Sequence, residues 1–523
     1  MRYPATKSVP RASAIGRARQ RGAAALAFVL VLVWSQAAAA ACPSCGTTPC
    51  TIAGTHSIGS GETCDYTGKD VILTGTLDGD GNAECYTVVA DNLTVHGTLR
   101  ARSSCIEVEV SENFAMEVVG NSAATVDVRE VDEWTDGLSV QCGSATLDGK
   151  AINAKSDGDS SPGGWIRIDC AGDVTGTGGP FQAAGAGGYD GGTIDIYSLA
   201  GDVDLASAFD LSGGGEWSFG GWMTIDAAGD VTLGTSSRSL QAQGAQGGSG
   251  GTIDVTGGGI VTINGAVNLN GNGEDAYGGQ IDVTASAIST GTGWSANGDS
   301  GGGGGSIALS ALDGTGTITM ASNASWSATG NQGGDGGGID IQAVGDVTLA
   351  GDSDVSTNGS GWGGYVDVQT WEIGDVSVSG DLEAGSSGED TLGGDVTVQA
   401  DGDVTVASTS RIGADTSGTG ATDGSTFFSG CNITVAGTID SRDGEGGDNW
   451  LHYAGTFTQA SGSAILADDA TMNDDGNHIR CACVDTSPAD GVCDSATCAS
   501  APVLNGTVTP SADVVPVAMP SCS

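Results

Sequence analysis

The stretch of sequence that decides the fold is residues 220–244, GGWMTIDAAGDVTLGTSSRSLQAQG. It holds three short segments: a Gly-Gly pair leading to Ile225, a Gly-Asp pair leading to Val231 and Leu233, and Leu240 followed by a small residue and glycine. Apolar and polar side chains alternate with a period of two in each segment, which predicts strands with one buried face. None of the segments shows the 3.6-residue period of an amphipathic helix.

The same unit recurs along the chain. Its Gly-Gly pair begins at nine positions that are 26 to 32 residues apart: Gly163, Gly191, Gly220, Gly250, Gly278, Gly304, Gly336, Gly363 and Gly393. One unit cannot bury its own apolar face, so neighbouring units must stack on each other. The repeat therefore predicts an all-β fold, a right-handed single-stranded parallel β-helix of about 12 coils, with about 29 residues and three short strands per coil.

Stacking these units in register predicts three inner columns of apolar side chains. The first strands stack Ile166, Ile194, Met223, Ile253, Ile281, Ile307, Ile339, Val366 and Val396. The second strands stack Val174, Val203, Val231, Val261, Ile288, Ile318, Val347, Val376, Val404 and Ile433. The third strands stack Phe181, Phe209, Leu240, Val267, Trp294, Trp326, Val355, Leu382, Ile412 and Ile439.

The repeat resembles that of the secreted parallel β-helix (β-solenoid) proteins of Gram-negative bacteria, whose coils read much like Gly-Gly-x-Ile-Asp-Ile followed by Gly-Asp-Val-Thr-Leu. It is more loosely similar to filamentous-haemagglutinin-type adhesins. The resemblance spans roughly residues 65–480, and the motif that carries it is structural. It implies a cell-surface or extracellular protein, and it supplies no catalytic residues.

We divide the chain into a signal peptide (1–41), a Cys-rich N-terminal cap with the first irregular coils (42–135), the parallel β-helix (136–480) and a Cys-rich C-terminal cap and tail (481–523). The first segment has basic residues, then an apolar run, then small residues, which is the organisation of an export signal. An alternative makes Cys42 a lipid-attachment site. Both interpretations predict a secreted or outer-surface protein without a transmembrane segment in the mature chain.

The charge of the chain excludes nucleic acids and anionic lipid as partners. The formal net charge is −47, and removal of residues 1–41, which hold six basic and no acidic residues, takes it to −53. Nucleic acids and anionic membranes are bound through Lys and Arg, which the mature chain largely lacks. Such an excess of carboxylates favours cations from the medium instead.

The 14 cysteines predict disulfides in an exported chain. They gather toward the two ends, and residues 171–430 contain none. Cys142 and Cys170 are 28 residues apart, which is one coil, and each follows its first-strand anchor by four residues. We therefore predict a bond between them. The alternative for the terminal cysteines is zinc bound by the Cys-x-x-Cys at 42–45 or the Cys-x-Cys at 481–483.

Aromatic residues gather around the Gly-Gly corner of the repeat. The candidate ligand-binding residues are Tyr189, Trp217, Trp222, Tyr277, Trp362 and Tyr365, with Phe219 beside them. Aromatic rings aligned along a rod can stack on sugar faces. We therefore predict contact with an extracellular or cell-surface polysaccharide; the alternative is packing that shields the corner.

One acidic stretch is a candidate calcium site. Asp78, Asp80, Asn82 and Glu84 are spaced like the start of a calcium loop. The stretch lacks the glycine and the glutamate that an EF-hand has at its sixth and twelfth positions. It is either a calcium site of another kind or a tight acidic turn.

Stacked aspartates raise the question of catalysis. Asp254 with Asp282, and Asp340 with Asp367, face outward one coil apart, near the separation of the carboxyl pair in a retaining glycosidase. The central coils hold one basic residue, Arg238, and no histidine, which disfavours an enzyme. We predict a structural or adhesive β-helix protein that contacts glycans. The alternative is a β-helix carbohydrate-active enzyme of the glycoside hydrolase or polysaccharide lyase type.

Overall fold

The computed structural model describes residues 42–59, 61–79, 84–102, 104–119, 122–129, 137–156, 161–314, 316–351, 353–372, 374–442, 446–467, 476–482 and 498–517. The predicted signal peptide and parts of the Cys-rich tail lie outside these described residues. The regular elements in these ranges are all strands. Nowhere in them is there a helix long and apolar enough to cross a membrane.

The strands form three sheets, each with one strand per turn, and every pairing within a sheet is parallel. Sheet 1 contains Thr63–Leu73, Tyr86–Val95, Ile106–Val110, Gly137–Cys142, Trp165–Cys170, Thr193–Ser198, Trp222–Ala227, Thr252–Gly257, Gln280–Ala285, Ser306–Ala311, Gly338–Ala343, Tyr365–Thr370, Asp395–Gln399, Ser425–Gly430, Asp448–Tyr453, Gly476–Ala482 and Asp513–Val517. Sheet 2 contains Cys50–Ile52, the second halves of the two long N-terminal strands, Asn113–Met116, Ser144–Leu147, Val174–Gly176, Val203–Leu205, Val231–Leu233, Ile260–Ile263, Ala287–Thr290, Ile318–Met320, Val347–Leu349, Val376–Val378, Val404–Val406, Ile433–Val435, Phe457–Gln459 and Val503–Leu504.

Sheet 3 contains Thr55–Ile58, Thr76–Gly79, Thr98–Arg102, Thr125–Arg129, Ala151–Asn153, Phe181–Gln182, Phe209–Asp210, Leu240–Gln241, Val267–Asn268, Trp294–Ser295, Ser325–Ser327, Asp354–Ser356, Asp381–Glu383, Arg411–Gly413, Thr438–Ser441, Ala464–Ala467 and Thr507–Thr509. A short antiparallel hairpin, Val118–Val119 with Ser122–Ala123, is inserted before the fourth of these strands.

From Ile106 onward the chain makes about 14 turns that are about 28 residues apart. The predicted all-β parallel β-helix with three short strands per turn is therefore confirmed. The turns before Ile106 are shorter, because Thr63 pairs with Thr87 and Tyr86 pairs with Ile106, offsets of 24 and 20 residues. Their strands run unbroken from sheet 1 into sheet 2, so these turns need no separate corner between the two sheets.

The inward side chains stack in the columns that the repeat predicts. In sheet 1, Ile166 pairs with Ile194 and Ile194 with Met223, and the register continues to Val396. The predicted columns of sheet 2 and sheet 3 are paired in the same way. These side chains form one continuous apolar core.

Two pairs of aromatic rings stack inside sheet 3. The ring centroids of Phe181 and Phe209 are 4.9 Å apart, and those of Trp294 and Trp326 are 5.4 Å apart. All four side chains are at most 1 % exposed. Parallel pairing places equivalent side chains directly above one another at about 4.8 Å, which favours this stacked arrangement.

The first inner column of sheet 1 becomes polar near the C-terminal end. Val396 pairs with Thr426, and the column continues through Asn449 and Asn477, all three nearly fully buried. Thr426 Oγ1 donates to Asn449 Oδ1 (2.7 Å), and Asn449 Nδ2 donates to Asn477 Oδ1 (2.8 Å). Asn477 Nδ2 in turn donates to the carbonyl oxygen of Pro510 (2.8 Å). This internal amide ladder ties the final turn to the apolar core.

The aspartate of the Gly-Asp-Val segment is a structural residue. The N–H of Asp202 donates to Asp173 Oδ1 (3.0 Å) on the preceding turn, and the N–H of Asp230 donates to Asp202 Oδ1 (2.8 Å). The N–H of Ile260 continues the series to Asp230 Oδ1 (2.7 Å). Each carboxylate thus accepts a backbone hydrogen bond that the next turn would otherwise leave unpaired at the corner.

The paired glycines of the corner are required for space and not for positive φ. A Cβ at Gly250 would overlap the carbonyl oxygen of Leu269 on the adjacent turn. Positive φ occurs in the loops before the pairs, as at Gly187 (61°) and Gly188 (95°), where the N–H of Tyr189 closes a four-residue turn. Two consecutive positive φ values with this hydrogen bond are the pattern of a type I′ turn.

Disulfides link neighbouring strands near both ends of the β-helix. Cys142 and Cys170, predicted to bond, are paired residues of adjacent sheet-1 strands and form a disulfide with Cα atoms 4.5 Å apart. The other described pairs are Cys42–Cys64, Cys45–Cys50, Cys85–Cys105 and Cys481–Cys498. No described cysteine is free. The bond to Cys64 leaves the sulfur of Cys42 unavailable to a lipid, and neither Cys42 nor Cys45 is held as a zinc ligand.

Candidate ligand-binding groove

All six candidate aromatic residues lie at the corner where the chain passes from sheet 3 to sheet 1. Trp222 and Tyr365 are the first residues of sheet-1 strands, and the other four precede Gly-Gly pairs. Their side chains are exposed, from 39 % for Tyr189 to 66 % for Trp217. The stacking of turns thus brings residues that are up to 176 positions apart in sequence onto one edge of the β-helix.

Three of these rings lie against a glycine of a neighbouring turn. A Cβ at Gly303 would meet the ring of Tyr277 at 3.4 Å, and a Cβ at Gly247 would meet the ring of Trp217 at 3.0 Å. A Cβ at Gly338 would overlap the ring of Tyr365. The glycines therefore allow the rings to lie close to the backbone while much of each ring stays in contact with solvent.

A shallow, open groove of about 300 Å³ runs across three turns at this corner. Its floor is formed by the paired glycines at 250–251 and 278–279 together with Gly305, and its polar side chains are Thr252, Gln280 and Ser306. These three polar residues occupy equivalent positions in consecutive sheet-1 strands. The floor is flat because a side chain at the first glycine of each pair would collide with the adjacent turn.

Aromatic residues stand at both ends of the groove. Trp222 is paired with Thr252 at one end, and beyond Ser306 the series continues through Gly338 to Tyr365. The five strand spacings from Trp222 to Tyr365 correspond to roughly 24 Å. Tyr277 lies on the loop side of the groove, directly before the glycines at 278–279. The groove therefore has a polar, glycine-rich floor, and exposed aromatic residues lie on the strands and the loop around it, which together form its rim.

A column of carboxylates borders the groove on its sheet-1 side. Asp254 pairs with Asp282. Burial raises the pKa of Asp254, and the nearby carboxylates of Asp282 and Asp226 raise it further. Asp282 Oδ2 accepts a hydrogen bond from Gln280 Nε2 (2.6 Å). The second predicted pair, Asp340 and Asp367, is also paired in register, and each carboxylate accepts hydrogen bonds from the Gln two residues later.

The raised pKa of Asp254 makes a testable prediction about stability. The ionised carboxylate is disfavoured in the folded state, so it lowers the free energy of unfolding when the pH is above the pKa of Asp254 in the folded protein. This penalty disappears as the pH falls below the pKa of 3.8 in the unfolded chain. Asp254→Asn should therefore stabilise the protein at neutral pH by about 0.5 kcal/mol, the scale of a like-charge cross-strand pair. Thermal unfolding from pH 7 to pH 3 should show this gain shrinking to zero.

The control for this prediction is Asp313→Asn, which removes one charge from an exposed loop. It should leave the unfolding temperature unchanged across the same pH range. An Asp254→Asn variant that is no more stable than the parent protein at pH 7 would contradict the penalty that burial and the neighbouring carboxylates place on ionised Asp254.

The calcium candidate is only partly described. Asp80 and Asn82 lie outside the described residues. Asp78 Oδ2 lies 3.8 Å from Arg100 Nη1, and Arg100 Nε lies 3.6 Å from Asp127 Oδ2 on the next turn. Among the residues that the structure describes, no group of three or more acidic, His or Cys side chains could hold a metal ion.

The stacking also forms a cluster that the sequence does not reveal. On the outer face of sheet 1, the rings of Trp450 and His478 stack with centroids 4.0 Å apart, and His452 lies edge-on to Phe427 at 4.9 Å. The guanidinium of Arg480 lies 5.3 Å from the ring of Trp450. Burial, with Arg480 nearby, lowers the pKa of His452. Histidines that look scattered in sequence are thus adjacent in the last turns.

Comparisons with protein-family models, with curated proteins and with solved structures found no match to this chain. The structure shows the parallel β-solenoid architecture itself, and the resemblance to secreted repeat proteins and adhesins stays a prediction.

Proposed function

We propose that this chain is a secreted or cell-surface β-helix protein whose aromatic corner binds a glycan. The observation that carries the proposal is the open groove with exposed aromatic residues around it: Trp222 one strand before it, Tyr365 two strands beyond it, and Tyr277 directly before its glycines. The paired glycines of the floor let a flat polymer approach the backbone closely. Exposed aromatic rings supply apolar faces for sugar rings, and the hydroxyls of Thr252 and Ser306 supply polar partners.

The disulfides support the proposed location of the protein. Disulfides persist in oxidising compartments such as the cell exterior and are rare in the cytosol. Five disulfides join described cysteines to each other, and Cys431 is disulfide-bonded as well. A scaffold that is bonded near both ends and paired throughout suits an extracellular structural or adhesive role.

A carbohydrate-active enzyme is the weaker candidate. The observation in its favour is the Asp254–Asp282 pair beside the groove, in which the pKa of one carboxyl is raised. Against it, the carboxylate of Asp282 is already engaged in a hydrogen bond from the Gln280 side chain. The sequence from 239 to 410, which contains the groove, also offers no Lys, Arg or His to assist proton transfer or to bind a charged intermediate.

The proposal is tested by glycan binding with the full chain and three variants. Trp222→Ala and Tyr365→Ala should each weaken binding to the best ligand of an immobilised glycan panel by about tenfold, about 1.4 kcal/mol. Trp371→Ala is the matched control, because Trp371 is 43 % exposed but follows its sheet-1 strand on the side opposite to the corner. Unchanged binding in both corner variants, or an equal loss in the control, would refute the proposed site.

A further inference from the structure

We infer that the groove selects linear glycans without acidic groups, and that Asp254 and Asp282 are specificity-determining residues that repel polyanions. This inference rests on the proposed function. It concerns the class of polymer that the groove accepts, whereas the proposed function concerns whether the groove binds a glycan at all.

The carboxylates stand close enough to the groove to act on its contents. Asp254 and Asp282 follow the floor residues Thr252 and Gln280 by two positions on the same outer face of sheet 1. Alternate residues of a strand share a face and are about 7 Å apart. A polymer that lies on the floor therefore passes within one Debye length of both carboxylates at physiological salt.

The opposite side of the groove is also acidic. Glu274 and Asp275 are exposed in the loop before Tyr277, and Asp299 follows on the next turn, where its Oδ2 accepts a hydrogen bond from the N–H of Gly273 (3.0 Å). A polymer in the groove therefore has carboxylates on both sides.

No basic side chain offsets this charge. Residues 239–410, which make up the groove and the turns on either side of it, hold 21 Asp and Glu and no Lys, Arg or His. The negative potential of a cleft lined by one sign of charge is concentrated along the cleft. Uronic-acid or carboxymethyl polymers would bring further negative charge into it, whereas a neutral glycan pays no such electrostatic cost.

The arrangement of the rim further indicates that the bound polymer runs parallel to the axis of the β-helix. Thr252, Gln280 and Ser306 line up from turn to turn between Trp222 and Tyr365. A chain lying along this line contacts the floor and both aromatic ends, whereas a chain crossing it meets one carboxylate column and one ring. A linear polymer fits the first path over its whole length of roughly 24 Å.

The test compares matched polymers that differ in charge. Hydroxyethylcellulose and dextran are the neutral members, and carboxymethylcellulose and carboxymethyldextran are their charged partners. The parent protein should bind a neutral member at least about tenfold more tightly than its carboxymethyl partner at low ionic strength. The Asp254→Asn/Asp282→Asn variant should bind the charged partner about tenfold more tightly than the parent does, so that its preference for the neutral member is largely lost. At about 1 M salt, where the Debye length is about 3 Å, the difference should vanish.

The outcomes separate the two proposals. Equal binding of neutral and charged partners by the parent protein, or no gain in the double variant, overturns the inference while leaving glycan binding intact. Absence of binding to either neutral polymer and to the whole glycan panel overturns the proposed function. An unchanged circular dichroism spectrum and unfolding temperature no lower than that of the parent would show that the double variant is folded.

Discussion

Trp326→Ala should lower the free energy of unfolding by about 3–5 kcal/mol, the cost of deleting a large aromatic side chain from a packed core. Trp326 is fully buried and stacks on Trp294 of the preceding turn, and it pairs in register with Val355 of the next. The vacated volume lies inside one continuous core, where turns held at the strand spacing cannot collapse to fill it. Urea unfolding followed by far-ultraviolet circular dichroism would measure the change.

Two further variants isolate the cause of this loss. Trp362→Ala removes an equally large but 57 % exposed side chain and should change stability by less than about 0.5 kcal/mol. Trp326→Phe should cost much less than Trp326→Ala, because it keeps a stacked ring and removes an indole Nε1 that is buried without a hydrogen-bond partner. Equal losses in Trp326→Ala and Trp362→Ala would contradict the placement of the Trp326 side chain in the core column of sheet 3.

The sequence predicts the fold well because the repeat encodes register as well as strands. In a parallel β-helix the residue above Ile194 is set by the length of one turn, so the Gly-Gly spacing alone pairs it with Met223. The same rule brings Cys142 over Cys170 and all six candidate aromatics onto one corner. The repeat therefore determines where each residue lies around and along the β-helix.

The parts that the sequence does not reveal depend on side-chain contacts between turns. The paired glycines avoid a collision with a carbonyl of the adjacent turn, which no local pattern shows. The groove exists because Trp222 and Tyr365 are separated by turns whose floor residues are small or polar. His452 and His478 meet Trp450 because unequal loops still return to the same register.

The buried amide ladder has a similar origin. The predicted column ends at Val396, because a rule that looks for aliphatic residues does not extend it to Thr426 and Asn449. Buried amides are tolerated there because each finds a partner one turn away along the column. Polar residues at an inner position therefore indicate a ladder when they occupy the same place in consecutive turns.

Asn449→Ala should destabilise the C-terminal turns by about 2–4 kcal/mol, since each buried polar group left unpaired costs about 1–3 kcal/mol. The substitution removes the partner of Thr426 Oγ1 and of Asn477 Oδ1, and it also removes a hydrogen bond from Asn449 Nδ2 to the carbonyl oxygen of Leu466 (2.8 Å). Hydrogen exchange should accelerate by about 100-fold in the strands of residues 457–467 and 503–517.

The same experiment shows whether the effect stays local. Turns of a solenoid contact mainly their neighbours, so strands of residues 252–311 should keep the exchange rates of the parent protein. Asn505→Ala is the matched control, because Asn505 is exposed in the final turn and should leave every rate unchanged. Uniform acceleration along the whole β-helix in Asn449→Ala would contradict a ladder that acts at one end. It would instead indicate that the described turns unfold as a single cooperative unit.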